Sequence, residues 1–203
     1  MFKSLILGLS IGTMALAQGA NADSLNINSK ASKVEWVGKK VLVDSQHNGT
    51  IAVKNGFLKF KGKSLVGGEV IIDMKSIVNL DLTDKKWNKK LVGHLSSEDF
   101  FHVAKHPTSK LVIKSLKKMK GKYVLNGDLT IRGVTKAVTA DAKLKKSADS
   151  ASLTATLLVD RTEFNVKYGS GKFFTGLGDK VIADTFEVKA KIVVDGSKKS
   201  SSL

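Results

Sequence analysis

Three of the four histidines of this chain lie in one short segment, Gly93–Pro107, and histidine is the residue most often used for metal binding and proton transfer. His102 and His106 are four residues apart, which would place both on one face of a helix. No carboxylate clearly completes a metal site, and Asp99 is equally suited to a cap or a turn. We therefore predict no metal ligand, and expect these histidines to hydrogen-bond the segment to the rest of the fold.

The same part of the chain offers residues for a Ser-His-Asp hydrolase. The candidates are Ser97 or Ser170 as nucleophile, His94 as base, and Asp99 or Asp160 as its partner. Neither serine lies in a G-x-S-x-G sequence, the strained turn that exposes the nucleophile of many hydrolases. Because any chain of this size offers such sets, we predict no catalytic residue and no enzymatic activity.

The amino-acid composition excludes cysteine chemistry and argues against a nucleic-acid partner. The 203 residues include no cysteine, which excludes disulfides, thiol nucleophiles and thiolate metal sites. The net charge of +16 would suit a nucleic-acid partner, but the excess is almost wholly lysine. Arg132 and Arg161 are the only arginines, whereas bidentate recognition of bases and phosphates favours arginine. We expect no nucleic-acid partner, and leave open a weak, salt-sensitive contact with an anionic membrane surface.

The N-terminal segment has the pattern of an export signal. Lys3 precedes the mainly apolar stretch 5–17, and Ala20-Asn21-Ala22 is a typical cleavage site. The apolar stretch is shorter than the ~20 residues that a membrane-spanning helix needs. We therefore predict a signal peptide at 1–22, a single domain at 23–195 and a disordered tail at 196–203. The protein would then be periplasmic, and the lack of cysteine excludes a lipoprotein.

Period-two alternation of apolar and polar residues dominates the chain after residue 30. In the clearest run, Phe186, Val188, Ala190 and Ile192 alternate with charged residues, as in antiparallel strands that bury one face. Many short strands favour a closed barrel or a sandwich. A short helix is expected at 91–101, within the connector 76–107, and hairpins at 48–49 and 55–56. The predicted strands are 32–38, 49–54, 56–62, 66–75, 109–118, 121–132, 134–145, 151–161 and 180–195.

Several motifs in order resemble those of the YceI-like family. They are Val34–Lys39 with His47, the strand Asp73–Ile77, the connector Gly93–Pro107, the hairpin Gly127–Lys136, and the pieces Asp160–Thr162, Tyr168–Ser170 and Gly178–Asp184. The resemblance implies an eight-stranded antiparallel, lipocalin-like barrel. It also implies a pocket for a polyisoprenoid or similar long-chain amphiphile, with no cofactor beyond that lipid. The protein would be a periplasmic carrier or scavenger of lipid, and pairing of two chains is left open.

The residues that we predict to bind the ligand are large apolar side chains and one arginine. An eight-stranded barrel either fills with side chains or holds one small ligand, and small inward residues such as Ala140, Ala142, Ala155 and Ala190 leave volume. The aromatic residues either line a mouth or close the barrel ends as core, and the arginine binds a headgroup or satisfies carbonyls. The predicted set is Trp36, Phe57, Phe60, Ile72, Met74, Leu95, Phe100, Phe101, Ile113, Leu129, Ile131, Leu157, Arg161, Phe164, Phe173 and Phe174.

The alternative function is an interaction module without a cavity. In that case the barrel is packed solid and its lysine-rich surface associates with anionic surfaces. The two hypotheses differ in their response to salt, because charge contacts weaken as salt is added while burial of an apolar tail does not.

Overall fold

The structure is a computed structural model that describes residues 22–195. The predicted tail and all of the predicted signal peptide except Ala22 lie outside the described residues. Two single 3₁₀ turns, Arg161–Phe164 and Gly178–Lys180, lie in the long connection before the last strand. The strands and the helix are β1 Asp23–Asn26, β2 Lys33–Lys39, β3 Gln46–Lys61, β4 Ser64–Asn79, α1 Lys85–Ser96, β5 Thr108–Met119, β6 Lys122–Ile131, β7 Val134–Lys146, β8 Ser150–Asp160 and β9 Thr185–Asp195.

Strands β2 to β9 close into an eight-stranded antiparallel barrel, which confirms the predicted fold class. Each strand pairs with its neighbours in the order β3-β2-β9-β8-β7-β6-β5-β4, and β4 pairs again with β3 to close the sheet. The short strand β1, which was not predicted, pairs with β3 beyond the end of β2. Closure satisfies the backbone hydrogen bonds between strands, so apolar side chains can occupy the interior without leaving an unpaired edge there.

The two ends of the barrel have different connections. At the turn end, the strands are joined by short turns at 62–63, 120–121 and 147–149. At the loop end lie the connections 40–45, 80–107, 132–133 and 161–184, and α1 belongs to the second of these. The fully buried side chains Leu58, Phe60, Leu125, Leu153 and Val194 fill the barrel toward the turn end. Bulky connections therefore cover one end only, and packed side chains seal the other.

The two predicted hairpins at 48–49 and 55–56 are wrong, because both pairs lie inside the single long strand β3. Gly49 is required by packing: a Cβ there would lie 1.8 Å from the Val78 carbonyl oxygen and 2.6 Å from the Trp36 ring. Gly56 stands just after a register shift in the pairing with β4, at φ 150°. These glycines allow close approach and a bulge rather than chain reversal.

The helix was predicted in the right connector but with the wrong limits. It begins at Lys85 because the Asp84 side chain accepts hydrogen bonds from the Lys86 and Trp87 backbone N–H groups, as an N-cap. It ends at Ser96, before the extended Ser97. None of its residues is buried. In the described part of the chain, no helix has the length and apolar character needed to cross a membrane.

Gly49→Ala should destabilise the barrel, since its new methyl group meets a backbone oxygen that cannot move without breaking the β3–β4 pairing. We expect a loss of about 2 kcal/mol or more in the free energy of unfolding, measured by urea denaturation. Gly93→Ala is the matched control, because Gly93 lies in α1 with no atom within 4 Å of the added Cβ. That change should stabilise the protein by up to about 1 kcal/mol. Equal effects of the two substitutions would contradict this account of Gly49.

Candidate functional site

An apolar cavity of about 370 Å³ lies inside the barrel toward the loop end. Val70, Ile113, Leu125, Leu153 and Ile192 line its deep part, next to the packed side chains of the turn end. Most of its wall comes from the alternating inward residues of the strands. The barrel is therefore not packed solid, contrary to the alternative that the sequence left open.

Small residues on neighbouring strands provide part of this volume. Ala155 of β8 and Ala190 of β9 are directly paired, and both line the cavity. A larger side chain at either position would project into the space that the cavity occupies. Ala140 and Ala142 are also buried, but they pack in the core and do not line the cavity.

The connector after α1 covers the cavity at the loop end. Phe100 is 7% exposed, Phe101 is half-buried, and both rings line the cavity. Phe101 contacts Phe186 of β9 in an edge-on arrangement with 6.2 Å between ring centroids. Leu91 and Leu95, one turn apart on α1, add aliphatic side chains to the same lining. These two phenylalanines are thus part of the cavity wall.

In the connector, His94 is held by packing rather than by the predicted hydrogen bond. The His94 ring contacts Phe100 and Tyr168 edge-on, with centroid distances of 4.9 and 4.6 Å. Its Nε2 lies 3.6 Å from Asp99 Oδ2, too far for a good hydrogen bond. Among the described residues, no group of three or more histidines and carboxylates is arranged to hold a metal.

The serines of the hydrolase candidate have structural roles. Ser97 Oγ donates a hydrogen bond to the His94 carbonyl oxygen at 2.8 Å, just after α1 ends. Ser170 is fully buried, and its Oγ accepts from the Lys172 backbone N–H. The hydroxyl groups of Ser97 and Ser170 are therefore bonded to backbone groups and not to a histidine ring.

Arg161 organises the long connection between β8 and β9. The residue is 3% exposed, and its side chain donates four hydrogen bonds of 2.8–3.0 Å to the carbonyl oxygens of Val166, Tyr168, Ile182 and Ala183. Burial lowers the pKa of Arg161, and the nearby carboxylates of Asp184 and Asp160 oppose this shift. Although Arg161 also lines the cavity, most of its donors are already bound to carbonyls.

Arg132, the second arginine, joins the same connection to the connector after α1. Its Nη1 donates to the Phe100 carbonyl oxygen at 2.7 Å and to the Asn165 carbonyl oxygen at 2.9 Å. The two arginines therefore hold the covering segments of the loop end against the barrel, a role that sequence alone leaves as an alternative to headgroup binding.

Most of the predicted ligand-binding residues line the cavity, although their contact with a ligand stays a prediction. They come from five strands, α1, the connector and the connection 161–184, so the barrel brings together residues that are far apart in sequence. Those lining the cavity are Trp36, Ile72, Met74, Leu95, Phe100, Phe101, Ile113, Leu129, Ile131, Leu157 and Arg161.

Five predicted phenylalanines do not line the cavity. Phe57 lies on the outer face of β3, because it alternates with the buried Leu58. Phe60 is buried among the side chains that fill the turn end, and Phe164 is buried in the first 3₁₀ turn. Phe173 and Phe174 are about half exposed in the connection 161–184. These residues serve as core or surface, since aromatic type alone does not specify the face on which a side chain lies.

The rim of the cavity was not predicted from the sequence. Lys39 at the end of β2, Lys40 in the connection 40–45 and His47 of β3 contribute to the lining. His47 Nδ1 lies 2.7 Å from Asp81 Oδ2. Partial burial raises the pKa of Asp81, but hydrogen bonds from the Asn48 backbone, His47 and a second asparagine side chain outweigh it and lower the pKa. The cavity thus passes from apolar depths to a polar, lysine-bearing rim.

Comparison with known proteins agrees with this architecture. A model of the YceI-like domain matches residues 25–194. A UPF0312 protein of Photorhabdus laumondii is 33% identical over 147 residues, an alignment that covers 71% of this chain and 73% of that protein.

Two solved structures share the barrel. BcnA of Burkholderia cenocepacia superimposes with a TM-score of 0.58 at 24% identity, covering 82% of this chain and 98% of that one. A polyisoprenoid-binding domain from Saccharophagus degradans gives a TM-score of 0.58 at 14% identity, covering 84% and 97%. At these sequence identities the two structures show a shared fold and nothing beyond it.

Arg161→Met should loosen the loop end, because it leaves four carbonyl oxygens without their donor and removes the guanidinium that lies 3.8 Å from Asp184. We expect a loss of at least about 3 kcal/mol in the free energy of unfolding, and faster proteolysis within 161–184. Arg132→Met, which removes two hydrogen bonds at a more exposed site, should cost about 1–2 kcal/mol. A smaller loss for Arg161 than for Arg132 would show that the carbonyl contacts are not what holds this connection.

Proposed function

We propose that this chain, which belongs to the YceI-like domain family, binds a long-chain amphiphilic lipid of the polyisoprenoid, quinone or fatty-acyl type inside its barrel. The observation that carries this proposal is the apolar cavity of about 370 Å³ that reaches the exposed residues Lys39 and Lys40. Its volume lies within the range of small-molecule sites. The tail lies among the inward strand residues, and the headgroup lies at the rim.

The tail supplies most of the affinity. Burying each CH₂ group contributes roughly 0.8 kcal/mol, so about ten buried carbons contribute ~8 kcal/mol before the cost of ordering the ligand. An exposed lysine beside a charged headgroup adds only ~0–1 kcal/mol. Lys39 and Lys40 therefore adjust selectivity among headgroups, while the length and shape of the tail determine whether a molecule binds.

A binding role, rather than catalysis, is supported by how the polar residues near the cavity are used. Arg161 is bound to carbonyls, His94 is packed between aromatic rings, and Ser97 bonds to backbone. The solved Saccharophagus degradans relative is described as binding polyisoprenoid. The N-terminal export pattern supports a periplasmic carrier or scavenger, with transport or sequestration of lipid as its task.

Native mass spectrometry and organic extraction of the protein, purified from the periplasm of a lipid-containing host, test the proposal. We expect one long-chain lipid per chain, and uptake of a fluorescent fatty-acyl or polyprenyl probe when the protein is emptied. Probe binding should change little with added salt, because tail burial dominates. A protein that emerges empty and takes up no quinone, polyprenyl or fatty-acyl probe would refute the function.

Ala155→Phe should reduce probe affinity at least about tenfold, because the ring occupies the cavity where Ala155 faces Ala190. Folding should be preserved, since the ring fills empty space. Thr154→Phe adds the same ring at the neighbouring, outward-facing position of β8 and should leave affinity unchanged. Affinity is measured by fluorescence titration and folding by circular dichroism. Unchanged affinity in a folded Ala155→Phe protein would place the ligand elsewhere.

A further inference from the structure

Exposed apolar side chains are concentrated at the loop end of the barrel. Among the described residues, twelve large apolar side chains are exposed. Eight of them belong to the connections of the loop end, and a ninth lies in β4 near that end. Met119 and Val66 lie toward the turn end, and Leu158 lies on the outer wall near the loop end of β8. The nine are Val41, Leu42, Val43, Val78, Leu80, Trp87, Tyr168, Phe173 and Phe174.

Three of these side chains are consecutive in the connection between β2 and β3. Val41 is 57%, Leu42 65% and Val43 38% exposed. An exposed aliphatic run of this kind lowers the solubility of a protein unless a binding partner covers it. It is also next to the rim, because Lys39, Lys40 and Ser45 of the same segment line the cavity.

The backbone of this connection is held in place. The Lys40 N–H donates to the Ser45 carbonyl oxygen at 2.9 Å, and the Val41 N–H donates to the Val181 carbonyl oxygen at 3.0 Å. The apolar tip is therefore anchored on both sides while its side chains face solvent. The exposed side chains of residues 41–43 therefore lie on a segment of the rim whose backbone is fixed.

Trp87 of α1 is a further exposed apolar side chain beside the same rim. It is 55% exposed and lines a hollow of about 350 Å³ together with His47 and Leu91. His47 and Leu91 also line the main cavity, so the hollow adjoins the cavity. Lys90 Nζ lies 4.9 Å from the centroid of the Trp87 ring. An amphipathic indole next to a lysine is typical of the boundary between lipid headgroups and acyl chains.

Charge around this apolar surface is positive. The segments 39–45 and 81–90 contain six lysines and three aspartates. Two of those aspartates are engaged within the protein, Asp81 with His47 and Asp84 as the cap of α1. The lysines are Lys39, Lys40, Lys85, Lys86, Lys89 and Lys90, all of them exposed.

We propose that Val41, Leu42, Val43 and Trp87 form a membrane-docking surface that inserts into the headgroup region of an anionic phospholipid bilayer, with the surrounding lysines on the anionic lipids. The cavity then faces the bilayer, and the ligand passes between them without crossing water. This inference rests on the proposed function, because it supplies the route by which a water-insoluble ligand enters. Exposed aliphatic and indole groups bordered by lysines are the chemistry that binds an anionic bilayer, because the apolar groups enter the headgroup region while the lysines contact the anionic lipids.

Vesicle flotation with the full chain after export tests the docking surface. The vesicles are phosphatidylcholine alone or phosphatidylcholine mixed with phosphatidylglycerol. We expect binding to the anionic vesicles, weakened but not abolished by salt, and weakened about tenfold by Leu42→Ser. Met119→Ser, at the turn end and 56% exposed, is the matched control and should bind as the original protein does. Absence of vesicle binding, or equal loss in both variants, would overturn the proposal.

Ligand transfer separates docking from ligand binding. Leu42→Ser should take up a fluorescent fatty acid from dilute aqueous solution as the original protein does, but should extract the same probe from anionic vesicles about tenfold more slowly. Extraction at an unchanged rate would overturn the docking surface. Failure of aqueous uptake in both proteins would refute the proposed function, while flotation would still report on docking. If vesicles do not bind and Leu42→Ser instead dissociates a dimer in ultracentrifugation, the surface covers a second copy and the proposal is wrong.

Discussion

Closure of the eight-stranded sheet is the constraint on which the rest of this structure depends. Once β3 and β4 pair, the strands have partners on both sides, and the interior needs only apolar side chains. The barrel diameter is then set by strand number, so the size of the inward residues decides whether space remains. The pairing of Ala155 with Ala190 leaves space in the middle, whereas Leu58 and Phe60 fill the barrel toward the turn end.

The loop end is held by a different interaction, the hydrogen bonding of arginine to backbone carbonyls. Long connections carry carbonyl oxygens that no strand partner satisfies, and a buried guanidinium with five donors can satisfy several at once. Arg161 binds four of them, and Arg132 binds one on each of two connections. This geometry explains why these two positions hold arginine in a lysine-rich chain, because an ammonium group lacks the fixed fork that spans several carbonyls.

The alternation of residues predicted the strands and their inward faces, because a period of two is the geometry of a strand that buries one face and does not fit a helix. It predicted most of the cavity wall for the same reason. It failed at Gly49 and Gly56, where close approach and a bulge use the same residue type as a hairpin turn. The prediction that five further phenylalanines line the cavity was wrong, because aromatic type does not specify depth along a strand or position in a loop. The Asp84 cap that begins α1 is visible in the sequence but was not predicted.

The difference between the ends also determines where a ligand can enter. Entry through the turn end would require Phe60 and its neighbours, which are almost fully buried, to leave a packed core. At the loop end, α1 has no buried residue, so displacing it disrupts less packed core than opening the turn end would. Opening there costs less free energy than separating any pair of strands, because it breaks no sheet hydrogen bonds. The same weakly packed helix contributes Leu91 and Leu95 to the cavity and Trp87 to the outer surface, so movement of one element changes both the cavity and its surroundings.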